Sequence, residues 1–228
     1  MMIDSLLIFF KRWPLCYLLF LAFACASQKE KENSFDTKRD SVAEEKKINN
    51  AFLQINEATK TVNAGDLILR TGKDFISDVM RKLSQHDKTY SHCGIANWEN
   101  DTLFVYHALG GEFNPDQKIR RDAFEFFCNP YQNRGFGIFR YKINPGQQKN
   151  IIQLAKQYYS QQIMFDMQFD LETNDRMYCS EYVYKSIVTA TSGATTINTT
   201  TLNKIQFIAV DNLFVNPNCQ EIKRIKFE

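Results

Sequence analysis

The chain has little histidine, little net charge and no long apolar run. Its three histidines, His86, His92 and His107, come without a His-Glu-x-x-His, Cys-x-x-Cys or four-ligand Cys/His spacing, so no metal site is expected. Gly-x-x-x-x-Gly-Lys-[Ser/Thr] and Gly-x-Gly-x-x-Gly are both missing, which removes two common phosphate cradles, and no cofactor is expected. A net charge of +2 is too small for a protein that coats nucleic acid, so no nucleic-acid partner is expected. Nine glycines and five prolines exclude collagen-like and Gly/Pro-rich chains, and no internal repeat is evident. What remains is a globular composition, 44% hydrophobic, 14% aromatic and 24% charged, with residues 51–228 long enough for one domain.

The most apolar stretch, Trp13 to Ala24, follows Lys11 and Arg12 and exits through Ala24, Cys25 and Ala26. A basic start, a short apolar middle and small residues at the end make an export signal. A spanning helix needs about 20 apolar residues. Leu21-Ala22-Phe23-Ala24-Cys25 resembles a bacterial lipoprotein signal, in which Cys25 is lipidated and anchors the chain to a membrane. A plain secretory signal or an uncleaved anchor is the other reading. Residues 26–50 carry alternating Lys/Arg and Asp/Glu with almost nothing apolar. Such a segment cannot bury a core and is expected to be a charged, flexible linker, spanning roughly 27 Å on average; a surface helix of alternating charge competes. The expected organisation is thus a signal peptide over 1–25, a linker over 26–50 and a domain over 51–228, at the bacterial cell envelope and facing the periplasm or the exterior. Nothing in the sequence fixes the oligomeric state.

Within the domain, Ala64-Gly65-Asp66 is a turn before a short buried strand, Leu67 to Arg70. Phe75, Ile76, Val79, Met80 and Leu83 recur at helical spacing, so 74–85 reads as an amphipathic helix. Strands follow over 91–98 and 102–108, a helix over 122–128, a strand over 135–143 and a helix over 147–161. Residues 162–177 read as a loop, 179–189 as a helix, 191–201 as a mobile Thr-rich loop, 209–214 as a helical turn and 221–227 as a last strand. Central strands with helices around them suggest an α+β fold with an antiparallel sheet.

Two features carry chemistry. A two-residue Glu99-Asn100 loop would place His92 directly across from His107 on one sheet face. Such a pair makes sense if one ring accepts a proton and the other fixes its tautomer. Cys179 opens a helix, where backbone N–H groups and the dipole favour a thiolate. It also shares a stripe with Val183, Ile187 and Ala190, so a buried core thiol is the competing reading. Four cysteines fall in the domain (Cys93, Cys128, Cys179, Cys219) and could pair three ways, but a domain of this size does not need staples. Cys93 alternates away from His92 and reads as core.

Tyr90-Ser91-His92-Cys93-Gly94-Ile95 resembles the Ser-His-x-Gly-[Ile/Val] strand of the circularly permuted papain-like fold. Asp166-Met167-Gln168-Phe169, followed by Tyr178-Cys179-Ser180-Glu181-Tyr182-Val183, is similar to that family's nucleophile segment. Ala64 to Ile68 looks like its opening strand, and Ala209 to Pro217 like its closing turn. The resemblance, over about residues 62–226, is to the YiiX-like branch of the NlpC-type cysteine amidases and peptidases, relatives of lecithin retinol acyltransferase. It implies an antiparallel sheet or half-barrel with flanking helices. It also implies Cys179 as nucleophile, His92 as base and His107 in the third polar position, where many YiiX-like members have glutamate and the acyltransferase relatives histidine. Glu112 is an alternative third residue and Tyr90 a candidate accessory oxyanion group; packing is the competing role for Tyr90. The implied activity is amide hydrolysis on a peptide, with peptidoglycan peptides as one substrate class. A hydrolase or transferase acting on lipid acyl amides or esters is the alternative, and a non-catalytic envelope binding module is the third.

Overall fold

The computed structural model describes residues 40–111, 114 and 116–227. The expected signal segment, Cys25, the linker as far as residue 39, and Glu112 lie outside the described residues. The linker was expected to reach Asn50, but the chain is helical over residues 40–59 (α1). The compact unit that carries the site begins at Ile48. Ile48, Ala51, Ile55 and Ala58 are buried, at helical spacing, so the helix from Ile48 onward is anchored by apolar contact that a tether lacks. No helix among the described residues is long and apolar enough to cross a membrane.

The order that follows is β1 (Leu67–Gly72), α2 (Phe75–Leu83), β2 (His92–Glu99), β3 (Thr102–His107), β4 (Arg120–Ala123), α3 (Phe124–Phe127) and β5 (Asn133–Tyr141). Then come α4 (Pro145–Ser160), α5 (Cys179–Ala190), β6 (Thr200–Leu202), β7 (Ile205–Phe207), α6 (Val210–Phe214) and β8 (Cys219–Lys226). Six strands form one antiparallel sheet in the order β4-β3-β2-β1-β5-β8. Alternation sends side chains to its two faces. Leu67, Leu69, Cys93, Ile95, Tyr106 and Phe139 meet α4, α5 and α6 on one face. Ile68, Ala96, Val105, Phe136 and Ile138 meet α1 and α3 on the other. The sheet is therefore a middle layer, and β1 can be apolar at three successive positions because both its faces are covered.

Local chemistry starts the helices. Asp74 caps α2 by accepting the Ser77 N–H; Asn144 and Gln147 form a capping box at α4, with Pro145 in its first turn.

Three expectations change. Residues 122 and 123, expected to open a helix, end strand β4, because they pair with β3 and leave only a single helical turn, α3. The apolar stripe of α2 does not enter the core: Phe75 is 77% and Ile76 63% exposed, and only Leu83 packs against the core as a partly buried residue. The Thr-rich segment is pinned and not a free loop. Thr191, Thr195, Ile197 and Thr200 are buried, the Thr191 hydroxyl donates to the Ile187 carbonyl, and Thr200 begins the β6–β7 hairpin.

Candidate active site

The site forms where the first residue of β2, the end of β1 and the N-terminus of α5 come together. The β2–β3 loop is Asn100-Asp101, one residue later than the sequence pattern suggested. Both residues have positive φ, 47° and 62°, the signature of a primed two-residue hairpin turn. Glu99 therefore pairs with Thr102 and Ile95 with Tyr106. This register brings His107 beside Gly94 and makes His92 its diagonal neighbour. Parity is preserved, so both rings stay on one face. A Cβ on Gly94 would lie 3.0 Å from the His107 Cβ and 2.6 Å from Val105 Cγ1. The missing side chain gives the two rings room to meet, with His92 Nε2 2.9 Å from His107 Nδ1.

The relay continues one strand further. Asp122 in β4 pairs with Val105 and is thus diagonal to His107, whose Nε2 lies 3.0 Å from Asp122 Oδ2. Arg120 holds the other carboxylate oxygen at 2.9 Å. Burial works against ionisation of Asp122, but the hydrogen bonds from His107 and Arg120 bring its carboxyl down to about 2. Burial pulls His92 and His107 to about 4, so both are neutral at pH 7. These charges fix the tautomers. An ionised Asp122 can only accept, so His107 Nε2–H donates and His107 Nδ1 accepts from His92 Nε2–H. The nitrogen left on His92, Nδ1, is then an acceptor available to Cys179.

Cys179 is the first residue of α5. It is buried, 8% exposed, as is His92, and His107 is fully buried. Its thiol is held well below the ordinary value. The hydrogen bond from Cys93 is the largest cause; burial opposes it; His92 and the Ser180 N–H add to the lowering. Cys93 itself is pushed well up by burial and by Cys179. Alternation does place Cys93 on the opposite face from His92. The helix N-terminus arrives at the end of the strand, where residues from both faces reach the sulfur. All four described cysteines are free thiols.

The segment before α5 is built to hold this geometry. Asp166 is buried and accepts the N–H groups of Gln168 and Asp170. This turn brings the Phe169 ring to 4.8 Å from that of Tyr178. The Tyr178 hydroxyl accepts the Ile208 N–H, and the Ser180 hydroxyl donates to the Ile208 carbonyl at 2.7 Å. Glu181 accepts the Tyr178 N–H and pairs with Lys185 at 2.8 Å; burial pushes its carboxyl up to about 7.

Tyr90 lies elsewhere. The chain is not yet a strand at 90–91, so alternation does not extend to it. Its ring packs edge-on against Phe139 and Phe214 beneath Arg224, and its hydroxyl points at Gly137. It is a buried core residue. His86 and Arg176 are exposed, and Arg176 faces Asp175. Three residues of the site escaped the sequence pattern. The pattern places Asp122 in a helix, Cys93 in the core and Arg70 in a buried strand.

The sequence profile described as "Permuted papain-like amidase enzyme, YaeF/YiiX, C92 family" matches residues 61–219. The chain belongs to this family. As a permuted papain-like amidase it is a cysteine hydrolase by family, and its mixed fold around a six-stranded antiparallel sheet is the family's. Its structure is similar to a crystal structure titled metalloprotein yiiX from Escherichia coli O157:H7, with a TM-score of 0.59 and 19% identity, covering 72% of this chain and 98% of that one. That likeness carries the fold. No curated protein matches the chain in sequence. The described residues of this amidase contain no group of three or more His, Cys, Asp or Glu arranged to hold a metal ion.

Proposed function

We propose that the chain is a cysteine amidase acting through Cys179, His92 and His107, with Asp122 as the outer anchor of the relay. The observation that carries the reading is the unbroken line from Asp122 through His107 and His92 to a thiol whose pKa is lowered. Proton transfer from Cys179 Sγ to His92 Nδ1 leaves a thiolate, the competent nucleophile. The sulfur attacks an amide carbonyl carbon and the carbonyl oxygen takes the negative charge. The Cys179 backbone N–H, at the first turn of α5, is placed to donate to that oxygen. His92 returns its proton to the departing nitrogen, the C–N bond breaks, and a thioester remains. Water then loses a proton to His92, attacks the thioester and frees the acid and the thiol. His107 keeps the His92 ring oriented throughout. Asp122 supplies the negative charge that a neutral His107 lacks.

The substrate class we assign is a peptide or acyl amide at the bacterial cell envelope. The basic-then-apolar N-terminus and Cys25 support that location. Incubation with N-acyl peptide amides, followed by acid quench and intact-mass measurement, tests the chemistry. The expected result is an acyl adduct mapping to Cys179 and absent from Cys179→Ser; turnover that survives Cys179→Ser would contradict it.

A further inference from the structure

Arg70 is a residue of the site that the proposed mechanism does not use. It pairs directly with His92 across β1 and β2, so Arg70, His92, His107 and Asp122 stand on four adjacent strands on one face. Its guanidinium lies 4.8 Å above the Phe127 ring. That same ring packs 5.6 Å from His92 and 5.0 Å from His107. One N–H group donates to the Phe127 carbonyl at 3.2 Å. A guanidinium has five such donors, and among the described residues no carboxylate forms an ion pair with Arg70. Asp122 is engaged by His107 and Arg120, and Asp74 by Ser77. Arg70 is half-buried, and burial lowers its pKa. A cation partly withdrawn from water without a counter-charge is costly, and a planar fork is matched to a carboxylate.

We propose that Arg70 is an anion subsite, which binds a carboxylate carried by the amide substrate close to the scissile carbonyl. The assignment rests on the reading of Cys179 as nucleophile and narrows the substrate class to amides with an adjacent acidic group. An amide without that group lacks the contact that orients its carbonyl toward Cys179. Arg70 also sits close enough to Cys179 and His92 to act on their charges, so a purely electrostatic role must be separated from a binding role.

Two alkylating probes make that separation in the full chain. Iodoacetate and iodoacetamide both react with the thiolate; only the first carries a carboxylate. Rates are taken at the plateau pH, where Cys179 is fully thiolate, and divided by the rates with a small free thiol. The subsite is expected to favour iodoacetate by about tenfold, to saturate, and to be blocked by N-acetylglycine. In Arg70→Gln the preference should vanish while iodoacetamide still labels Cys179, and Arg70→Lys should keep part of it. Equal normalised rates for the two probes in the wild type, or a preference unchanged in Arg70→Gln, would overturn the subsite. A shift of only the labelling midpoint in Arg70→Gln, at constant preference, would also overturn it and leave Arg70 an electrostatic neighbour. Should Arg70→Gln not fold, saturation and N-acetylglycine protection in the wild type still decide. Failure of iodoacetamide to label Cys179 below the ordinary thiol range would count instead against Cys179 as nucleophile.

Discussion

In the proposed mechanism, Asp122 supplies the charge that two neutral histidines lack. A neutral imidazole behind His92 can orient it but offers little to the positive charge that arrives with the Cys179 proton. A carboxylate one strand away changes that, and its role is testable. Asp122→Asn keeps the shape but removes the charge and permits the wrong tautomer of His107. The expected loss in kcat/KM is about 10- to 100-fold, with Cys179 still labelled by iodoacetamide. The histidines also couple stability to pH. Folded, both stay neutral down to about pH 4; unfolded, they take up protons near 6.5. Between these values the unfolded chain binds more protons, so stability falls as pH drops through the window. The slope is about 1.4 kcal/mol per pH unit for each histidine. Urea denaturation at a series of pH values should show this slope, and His107→Gln should flatten it. Residue type, helix position and the family resemblance put Cys179, His92 and His107 forward from the sequence. Asp122 and Arg70 could not, since what makes them part of the site is pairing between strands distant in sequence.

At the scale of elements, the β2–β3 hairpin sets the relay. The sequence pattern identifies both strands and places both histidines on one face, but misplaces the turn by one residue. Glu99-Asn100 and Asn100-Asp101 are both turn-compatible pairs, and only the register formed in the sheet distinguishes them. Gly94 then has a mechanical role beside His107. Gly94→Ala must push aside Val105 and the Tyr106 carbonyl, 2.6 and 2.7 Å from the added Cβ. It is expected to destabilise by about 1–3 kcal/mol and to lower activity by displacing His107, measurable by urea titration and turnover. Helix α2 teaches the opposite lesson. Its periodicity marks a helix correctly but does not reveal that Phe75 and Ile76 are left exposed at its start. Phe75→Ser and Ile76→Ser should therefore change stability by no more than about 0.5 kcal/mol in a urea titration.

At the scale of the molecule, the matched family region begins at residue 61, but the compact unit begins at Ile48. The difference is the helix whose Ile55 and Ala58 are wholly buried against the sheet. A chain starting at Ile48 is expected to melt cooperatively. One starting at residue 61 loses Ile55 alone at about 1.5–3 kcal/mol and should melt several degrees lower. Fold class and the order of most elements were legible because alternation and helical periodicity are local signals. The layer that α1 adds was not, since its charged residues hide an apolar face of four small or medium side chains.

The central claim is that the relay ending at His92 activates Cys179. The pH dependence of iodoacetamide labelling at Cys179, in the wild type and in His92→Ala, measures it most directly. The account requires a thiolate already reactive near pH 6, with the midpoint moving upward when His92 is removed. Labelling that rises only above about pH 8.5, the ordinary thiol value, and is unchanged in His92→Ala, would contradict it.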